Sequence, residues 1–198
     1  MQLIIISGPS GSGKTKIARE ILKKLKNGII LNTDNYYKTG IISRLLSKIV
    51  PSYFDRKISC NLRLFKRDFD YILKNGCSEY SYEYDFKNKS IKKNYKKTNN
   101  IKFLIIEGIF GKAVINKNTK NKFILIRLKI SKKICMKRVM ERDFIERSKS
   151  KELAKKDFRN AWKLFHKNKL KKITGNYQKQ IKLSKKTELD VIIKKIIK

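Results

Sequence analysis

Short apolar runs alternate along this chain with stretches whose apolar residues recur every three or four positions, and the two periods predict different elements. Leu3-Ile4-Ile5-Ile6, Ile29-Ile30-Leu31, Ile101 to Glu107 and Phe123 to Ile130 read as buried strands. After the first of them Ile17, Ala18, Ile21, Leu22 and Leu25 recur at helical spacing, and Asn27-Gly28 closes that helix. Residues 61–75 read as a second helix with Leu62, Phe65, Phe69, Ile72 and Leu73 on one stripe and Gly76 just past its end. Ser131 can cap a helix running to about Arg147, and another follows from about Lys151 to His166 with Ala154, Phe158, Ala161, Trp162 and Phe165 on one face. Tyr80-Ser81-Tyr82-Glu83-Tyr84-Asp85-Phe86 alternates strictly, which places its aromatics on one face of a strand. Lys87 to Ser90 then turns, Ile91 to Tyr95 pairs back as a hairpin, and Lys96 to Asn100 is a polar connector. Residues 168–186 are polar and show no assignable period. Thr187-Glu188-Leu189-Asp190 resembles a capping box opening a last helix, with Leu189, Ile192, Ile193, Ile196 and Ile197 inward. Strands alternating with helices, and no internal repeat, predict an α/β fold: a parallel sheet covered on both faces. At 198 residues the simplest organisation is one domain over 1–198.

The junction between the first strand and first helix carries chemistry. Gly8-Pro9-Ser10-Gly11-Ser12-Gly13-Lys14-Thr15 matches G-x-x-x-x-G-K-[ST] in the strand–loop–helix context that the motif requires. Its glycines let successive backbone N–H groups point inward at one anion, and the helix N-terminus adds to the field. Lys14 would reach the outer phosphates of a nucleoside triphosphate from the surface of the cradle, and the Thr15 hydroxyl would ligate Mg²⁺.

Composition changes that picture little. The formal charge is +35, from 51 Lys and Arg against 16 Asp and Glu, which invites a nucleic-acid reading. The excess is mostly Lys, spread from Lys14 to Lys198 among many Asn and Ile, the drift expected of A+T-rich coding DNA. A nucleic-acid face would gather Arg and Lys with aromatics on one surface, so no specific nucleic-acid partner is expected. Cys60, Cys77 and Cys135 are widely spaced and odd in number, against both a zinc site and a disulfide framework. No secretory signal or run of membrane-spanning length is seen, so a soluble protein of the cytoplasm or an equivalent reducing compartment is expected, with no membrane association. Whether it works alone or as a homo-oligomer the sequence leaves open.

Two carboxylates sit at strand ends. Asp34, after the second strand, lies near the phosphate loop if the strands are parallel with right-handed crossovers. There it would accept the proton of an attacking hydroxyl or hold a water on Mg²⁺; the alternative is a solvated turn residue. Glu107 ends an apolar strand, facing the metal or capping a loop. Arg138 and Arg142 share a helical face, with Arg147 near the helix end. Their guanidinium groups would close over a transferring phosphoryl group, or would form an exposed ion-paired face with Glu141 and Glu146. The aromatic stripe at Tyr80 to Phe86 would stack a base or belong to the core. His166, the only histidine, reads as a surface residue at a helix end, so histidine general-base chemistry is not expected.

Together these segments resemble the uridine kinase and phosphoribulokinase family of phosphate-loop (P-loop) kinases. The resemblance rests on Ser7 to Thr15 with Ala18, Asp34-Asn35-Tyr36-Tyr37-Lys38, Tyr53-Phe54-Asp55 with Ile58, Tyr84-Asp85-Phe86, Ile106-Glu107-Gly108-Ile109, and Arg138, Arg142-Asp143 and Glu146-Arg147. It implies a three-layer α/β P-loop NTPase fold like that of nucleoside and nucleotide kinases, with a helical lid. The acceptor-side and lid segments would lie within about 35–97 and 131–150. It also implies transfer of the γ-phosphoryl group from ATP, with Mg²⁺, to a small-molecule hydroxyl acceptor such as uridine or cytidine. Asp34, Lys14, Arg138 and Arg142 would be catalytic. Gly8, Pro9, Ser10, Gly11, Ser12, Gly13, Lys14, Thr15 and Arg147 would bind the nucleotide, Tyr37, Asp55 and Tyr84 the acceptor, and Thr15 and Glu107 the metal. The chain departs from that family where its members usually carry a His and an Arg that serve the nucleoside: Lys89 and Ile91 stand there. Tyr82 replaces a usual Pro and Ser148 a usual lid Gly. A kinase for a sugar phosphate or vitamin precursor, and a nucleotide-dependent RNA-binding protein, are the competing readings.

Overall fold

The apolar runs become the centre of one parallel sheet in the computed structural model, which describes residues 1–111, 122–169, 177–183 and 193–194. Strands β1 (Gln2–Ser7), β2 (Gly28–Asn32), β5 (Phe103–Glu107), β6 (Phe123–Leu128) and β7 (Tyr177–Leu183) are ordered β2-β5-β1-β6-β7, each pair parallel. Leu3 and Ile5 point into one core with Phe65, Phe69 and Ile72, whereas Ile4 and Ile6 point into another with Ile17, Ala18, Ile21 and Ile193. A strand buried on both faces has no polar side to show, which is why these runs are continuous and not alternating. Removing each such isoleucine from water contributes on the order of 2 kcal/mol.

Helix α1 (Lys14–Leu25) covers one face. Helix α3 (Leu62–Asn75) covers the other, opened by Asn61, whose side chain accepts from the Leu64 amide at 3.1 Å, and closed by Gly76 at φ 65°. Strands β3 (Ser78–Asp85) and β4 (Ser90–Thr98) form a separate antiparallel hairpin. Its inner face is the predicted stripe: Tyr84 is buried, Tyr82 and Phe86 pack on the same core, and the rings of Tyr36 and Tyr82 meet edge to face at 5.4 Å. Helices α4 (Lys132–Arg147) and α5 (Lys151–Lys169) pair around Cys135, Val139 and Phe158. Ser131 caps α4 as expected, accepting from the Ile134 amide at 3.4 Å. Ser148, at the position of the usual lid glycine, holds the left-handed conformation at φ 51°, which glycine adopts without a Cβ penalty.

Several elements differ from the pattern reading. Helix α2 (Ile41–Ile49) lies where the hydrophobic pattern alone names no element. β7 lies within the polar stretch at 168–186, where partner-strand hydrogen bonds on β6, not apolar content, make the strand. β4 continues through Lys96 and Lys97 into the expected connector, because Thr98 still pairs with Ser78. β5 and β6 are shorter than read, and α5 runs past His166 to Lys169. The proposed last helix lies outside the described residues except for Ile193 and Lys194, and Ile193 is buried as expected. Among the described residues no helix is long and apolar enough to cross a membrane.

Candidate functional site

Three strand ends at one edge of the sheet bring the loop and both carboxylates together. Ile6 and Asn32 each stand opposite Glu107 in register, so the segments leaving β1 and β2 flank the end of β5. In an open parallel sheet, ligands bind beyond these carboxyl ends. Gly11 and Gly13 have φ of 76° and 90°, and a Cβ on Gly11 would run into the Cys135 carbonyl and Val139 at the start of α4. A side chain at position 11 is therefore excluded twice, by conformation and by space. Pro9 presents its carbonyl to the Ser12 amide at 3.2 Å and to Lys14 Nζ at 3.1 Å. Gly8, Ser10 and the buried Ser12 complete the turn, and Ser12 Oγ has no partner.

Lys14 is buried and not at the surface of the cradle as the sequence suggested. Burial lowers its pKa, opposed by the nearby charges of Asp34 and Glu107. Thr15 Oγ1 donates to Glu107 Oε1 at 2.9 Å. Glu107 is buried, and its pKa is raised by burial and by Asp34, held back by Lys14 and the Thr15 hydroxyl. Asp34 occupies a one-turn helix, Thr33–Tyr36, in which Asn32 Oδ1 accepts from the Asp34 amide at 2.8 Å. Its Oδ1 is buried without a hydrogen-bond partner. Gly108, at φ 120°, lets the chain pass so close that a Cβ there would press on Thr33 Oγ1 and come within 3.2 Å of Asp34 Oδ1. Asp34 is thus half-buried, with its Oδ1 inside the fold.

The acceptor-side residues meet in an aromatic nest. Tyr37 is buried, its ring edge-on to Phe54, Tyr84, Phe86 and Phe110, and its hydroxyl donates to the Phe54 carbonyl at 2.9 Å. Tyr84 is buried with a hydroxyl that has no partner, while its amide donates to Asn35 Oδ1 at 3.3 Å. Asp55, in the turn Tyr53–Asp55, is pushed up to about 7 by burial and by the charges of Asp34 and Asp157, against Arg147 and Lys149. Lys89 is turned away to Ser47 Oγ at 2.8 Å, and Ile91 packs into the core beside the nest.

The arginines of α4 divide between the two sides. Arg138 Nη1 reaches the Gly11 carbonyl at 3.4 Å. Arg142 donates twice to Asp143 Oδ1, at 3.0 and 2.7 Å. Arg147 lies 3.5 Å from Asp143, and its guanidinium stacks 3.8 Å over the Phe86 ring, with its buried Nε unpartnered. Lys149 joins Asp143 at 3.8 Å to Asp157 at 2.6 Å. The pairings of Arg138 with Glu141 and of Arg142 with Glu146, open from spacing, do not form; Glu141 lies 4.0 Å from Lys137. The buried Asp143 is the hub that spacing did not single out, although it stands in the quoted Arg142-Asp143 pair. Asn35 and Phe54 stand within quoted segments without a role of their own, and nothing local marks Phe110 or Asp157, whose partners are distant in sequence.

The residues present fit a metal–nucleotide. The loop amides and Lys14 suit the phosphates, and the orphaned Ser12 Oγ and Asp34 Oδ1 are polar atoms lacking a protein partner. Thr15 and Glu107 offer a hydroxyl and a carboxylate oxygen, hard donors of the kind Mg²⁺ takes alongside waters and phosphate.

Strand, loop and helix with an acid at the neighbouring strand end define a P-loop nucleotide-binding protein. The family model described as Phosphoribulokinase / Uridine kinase family matches residues 3–168, and the chain belongs to that family. It is 32% identical over 108 residues to uridine-cytidine kinase C of Dictyostelium discoideum, covering 54% of this chain and 22% of that one. It is 29% identical over 111 residues to a uridine kinase of Leuconostoc citreum, covering 54% of this chain and 52% of that one. The matched stretch thus spans about half or less of the length of these curated relatives. In fold it is similar to a Silicibacter protein described as a fructose transport system kinase, with a TM-score of 0.63 at 17% identity, covering 89% of this chain and 88% of that one.

Proposed function

We propose that this chain is a kinase that transfers the γ-phosphoryl group of ATP to a hydroxyl of a small acceptor, a pyrimidine nucleoside first. The observation that carries the reading is Asp34 Oδ1, buried and without a partner beside Lys14 and the Thr15–Glu107 pair. A carboxylate oxygen left unbonded in a buried site costs free energy unless a ligand supplies the donor. An acceptor hydroxyl supplies one. Bound ATP–Mg²⁺ would bring the transferable phosphoryl group and neutralise the charge that develops on it.

The chain's own residues do the rest. Lys14 and the free backbone amides of the loop hold the phosphates, and Thr15 and Glu107 serve the metal. Asp34 orients the acceptor hydroxyl and accepts its proton as that oxygen would bond to the γ-phosphorus and the bond to the departing ADP would break. Tyr37, Asp55 and Tyr84 shape the acceptor side. Arg138 closes over the loop, and Arg142 and Arg147, each paired with Asp143 on the same helix, would complete the lid. The names of the two uridine kinases support a nucleoside acceptor. Lys89 bonded to Ser47 and Ile91 in the core favour a second reading, a different small acceptor, because neither residue offers a base the contacts expected of a His and an Arg. A reducing compartment agrees with three free cysteines.

A screen of nucleosides, sugar phosphates and vitamin precursors with ATP and Mg²⁺ tests both readings. Phosphorylation of uridine or cytidine is expected. A phosphorylated sugar phosphate and no nucleoside would move the acceptor class, and nucleotide hydrolysis stimulated by RNA with no acceptor product would overturn the kinase reading.

A further inference from the structure

Helix α2 is built inside out. At about 100° per residue, Ile41, Leu45, Ile49, Ile42 and Leu46 fill one arc of the helix, and Ser43 and Ser47 lie on the opposite side. A helix on a soluble protein normally turns the apolar arc inward. Here Ser43 is the buried residue, donating to the Lys38 carbonyl at 2.8 Å and sharing a hydrogen bond with Tyr53 Oη at 3.2 Å. Ser47 accepts from Lys89 Nζ at 2.8 Å. The apolar arc is left in water: Ile41, Ile42 and Ile49 are 76%, 74% and 75% exposed, and Leu45 is 54% exposed, as is Ile58 after the turn.

Charge identifies what covers it. Between residues 38 and 58 the basic residues are Lys38, Arg44, Lys48, Arg56 and Lys57, and the single acid is Asp55, which belongs to the acceptor side of the site. A second copy of the same face would bring ten cationic side chains together against two acids, twice the five and one present here. Protein interfaces concentrate aromatic residues and Met, yet the exposed large apolar residues of this face are all Ile or Leu. Aliphatic side chains on one arc with Lys and Arg at its margin are the composition of a helix lying in the interface of an anionic bilayer.

We propose that α2, with Ile58, is a peripheral docking surface for an anionic lipid membrane. The isoleucines and Leu45 enter the headgroup–acyl boundary, and Arg44, Lys48, Arg56 and Lys57 meet the phosphate and carboxylate headgroups. This is a helix resting on a bilayer and not one crossing it, so it differs from the expected absence of membrane association without requiring a spanning segment. Because α2 is tied to the β3–β4 turn through Lys89–Ser47 and through Arg44 Nη2 donating to the Asn88 carbonyl at 3.4 Å, docking would place the acceptor side of the site next to the lipid.

Sedimentation of the full chain with phosphatidylcholine vesicles, with and without phosphatidylserine, tests the proposal. The key variant is the double substitution Ile42→Ser with Ile49→Ser, which changes no charge and alters only exposed positions; circular dichroism checks its fold. The wild-type chain is expected to bind the phosphatidylserine vesicles and not the neutral ones, and the variant to bind them roughly tenfold less at physiological salt. Equal binding by both proteins would show that the +35 charge alone does the work and would overturn the proposal. So would absence of wild-type binding, or sedimentation equilibrium showing a wild-type dimer that the variant loses.

Discussion

Lys14, Thr15 and Glu107 meet because adjacent parallel strands end in register, whereas Tyr37, Asp55 and Tyr84 meet because side chains from three separate segments pack on one another. On the first side the chemistry is carried by backbone amides and short contacts next to the sheet, so a local motif suffices to specify it. On the second it is carried by an aromatic nest whose members are far apart in the chain, so the same residues are compatible with several acceptors. On the proposed reading the first side is the generic, phosphate-holding part of the site and the second the part that would tell acceptors apart. Acceptor specificity would then lie on the second side, where Lys89 and Ile91 stand in place of the expected His and Arg.

Substitutions on the two sides should separate cleanly in their kinetics. Lys14→Ala removes a buried cation aimed at the phosphates and is expected to lower turnover about 10³-fold, the upper scale for losing one electrostatic contact to a reacting group. A coupled ADP-release assay checks this, and near-normal turnover would break the kinase reading. Asp34→Asn is expected to lower kcat about 10²-fold with ATP affinity little changed. If ATP affinity falls and kcat holds, Asp34 belongs with the metal and the division between the sides must be redrawn.

Tyr84→Phe should act on the acceptor side alone. Its hydroxyl is buried without a partner, so removing it is expected to leave stability unchanged or raise it by up to about 1 kcal/mol. The acceptor KM should rise severalfold while the ATP KM stays put, which steady-state kinetics and a thermal melt measure together. A further effect concerns pH. Asp55 has its pKa raised from 3.8 to about 7, so between those values the folded chain holds a proton that the unfolded chain has released. The stabilising contribution is complete below the lower value and lost as pH rises through the upper one. Melting temperature of the unliganded protein should thus decline across that window, and Asp55→Asn should flatten the decline. An unchanged slope in the variant would place the titrating group elsewhere.

Legibility followed the same division. The phosphate loop, Asp34 after β2 and Glu107 at the end of β5 could be read because strand, glycine and acid are neighbours in sequence. The aromatic face of β3 was legible too, since strict alternation has a period of two. What the arginines of α4 would bind was not: spacing offers Glu141 to Arg138 and Glu146 to Arg142, whereas Arg142 and Arg147 pair with Asp143, a buried carboxylate whose desolvation calls for cations. Helix α2 is not legible for a related reason. Its residues make an amphipathic arc, but position alone does not say which side of that arc meets protein.

By itself the amino-acid order determined the periodicities, the turn glycines and the residue types at strand ends, all of which depend on local backbone geometry and on the free energy of removing apolar groups from water. Tertiary structure alone decided which distant partners those groups found. It made a strand of the polar stretch at Tyr177–Leu183 by offering it the edge of β6. It left Asp34 Oδ1 and Tyr84 Oη unbonded, turned the serines of α2 inward, and joined Asp143 to three cations. Hydrogen bonds, desolvation and charge pairing depend on distances through space, and these exist only once the chain has closed on itself.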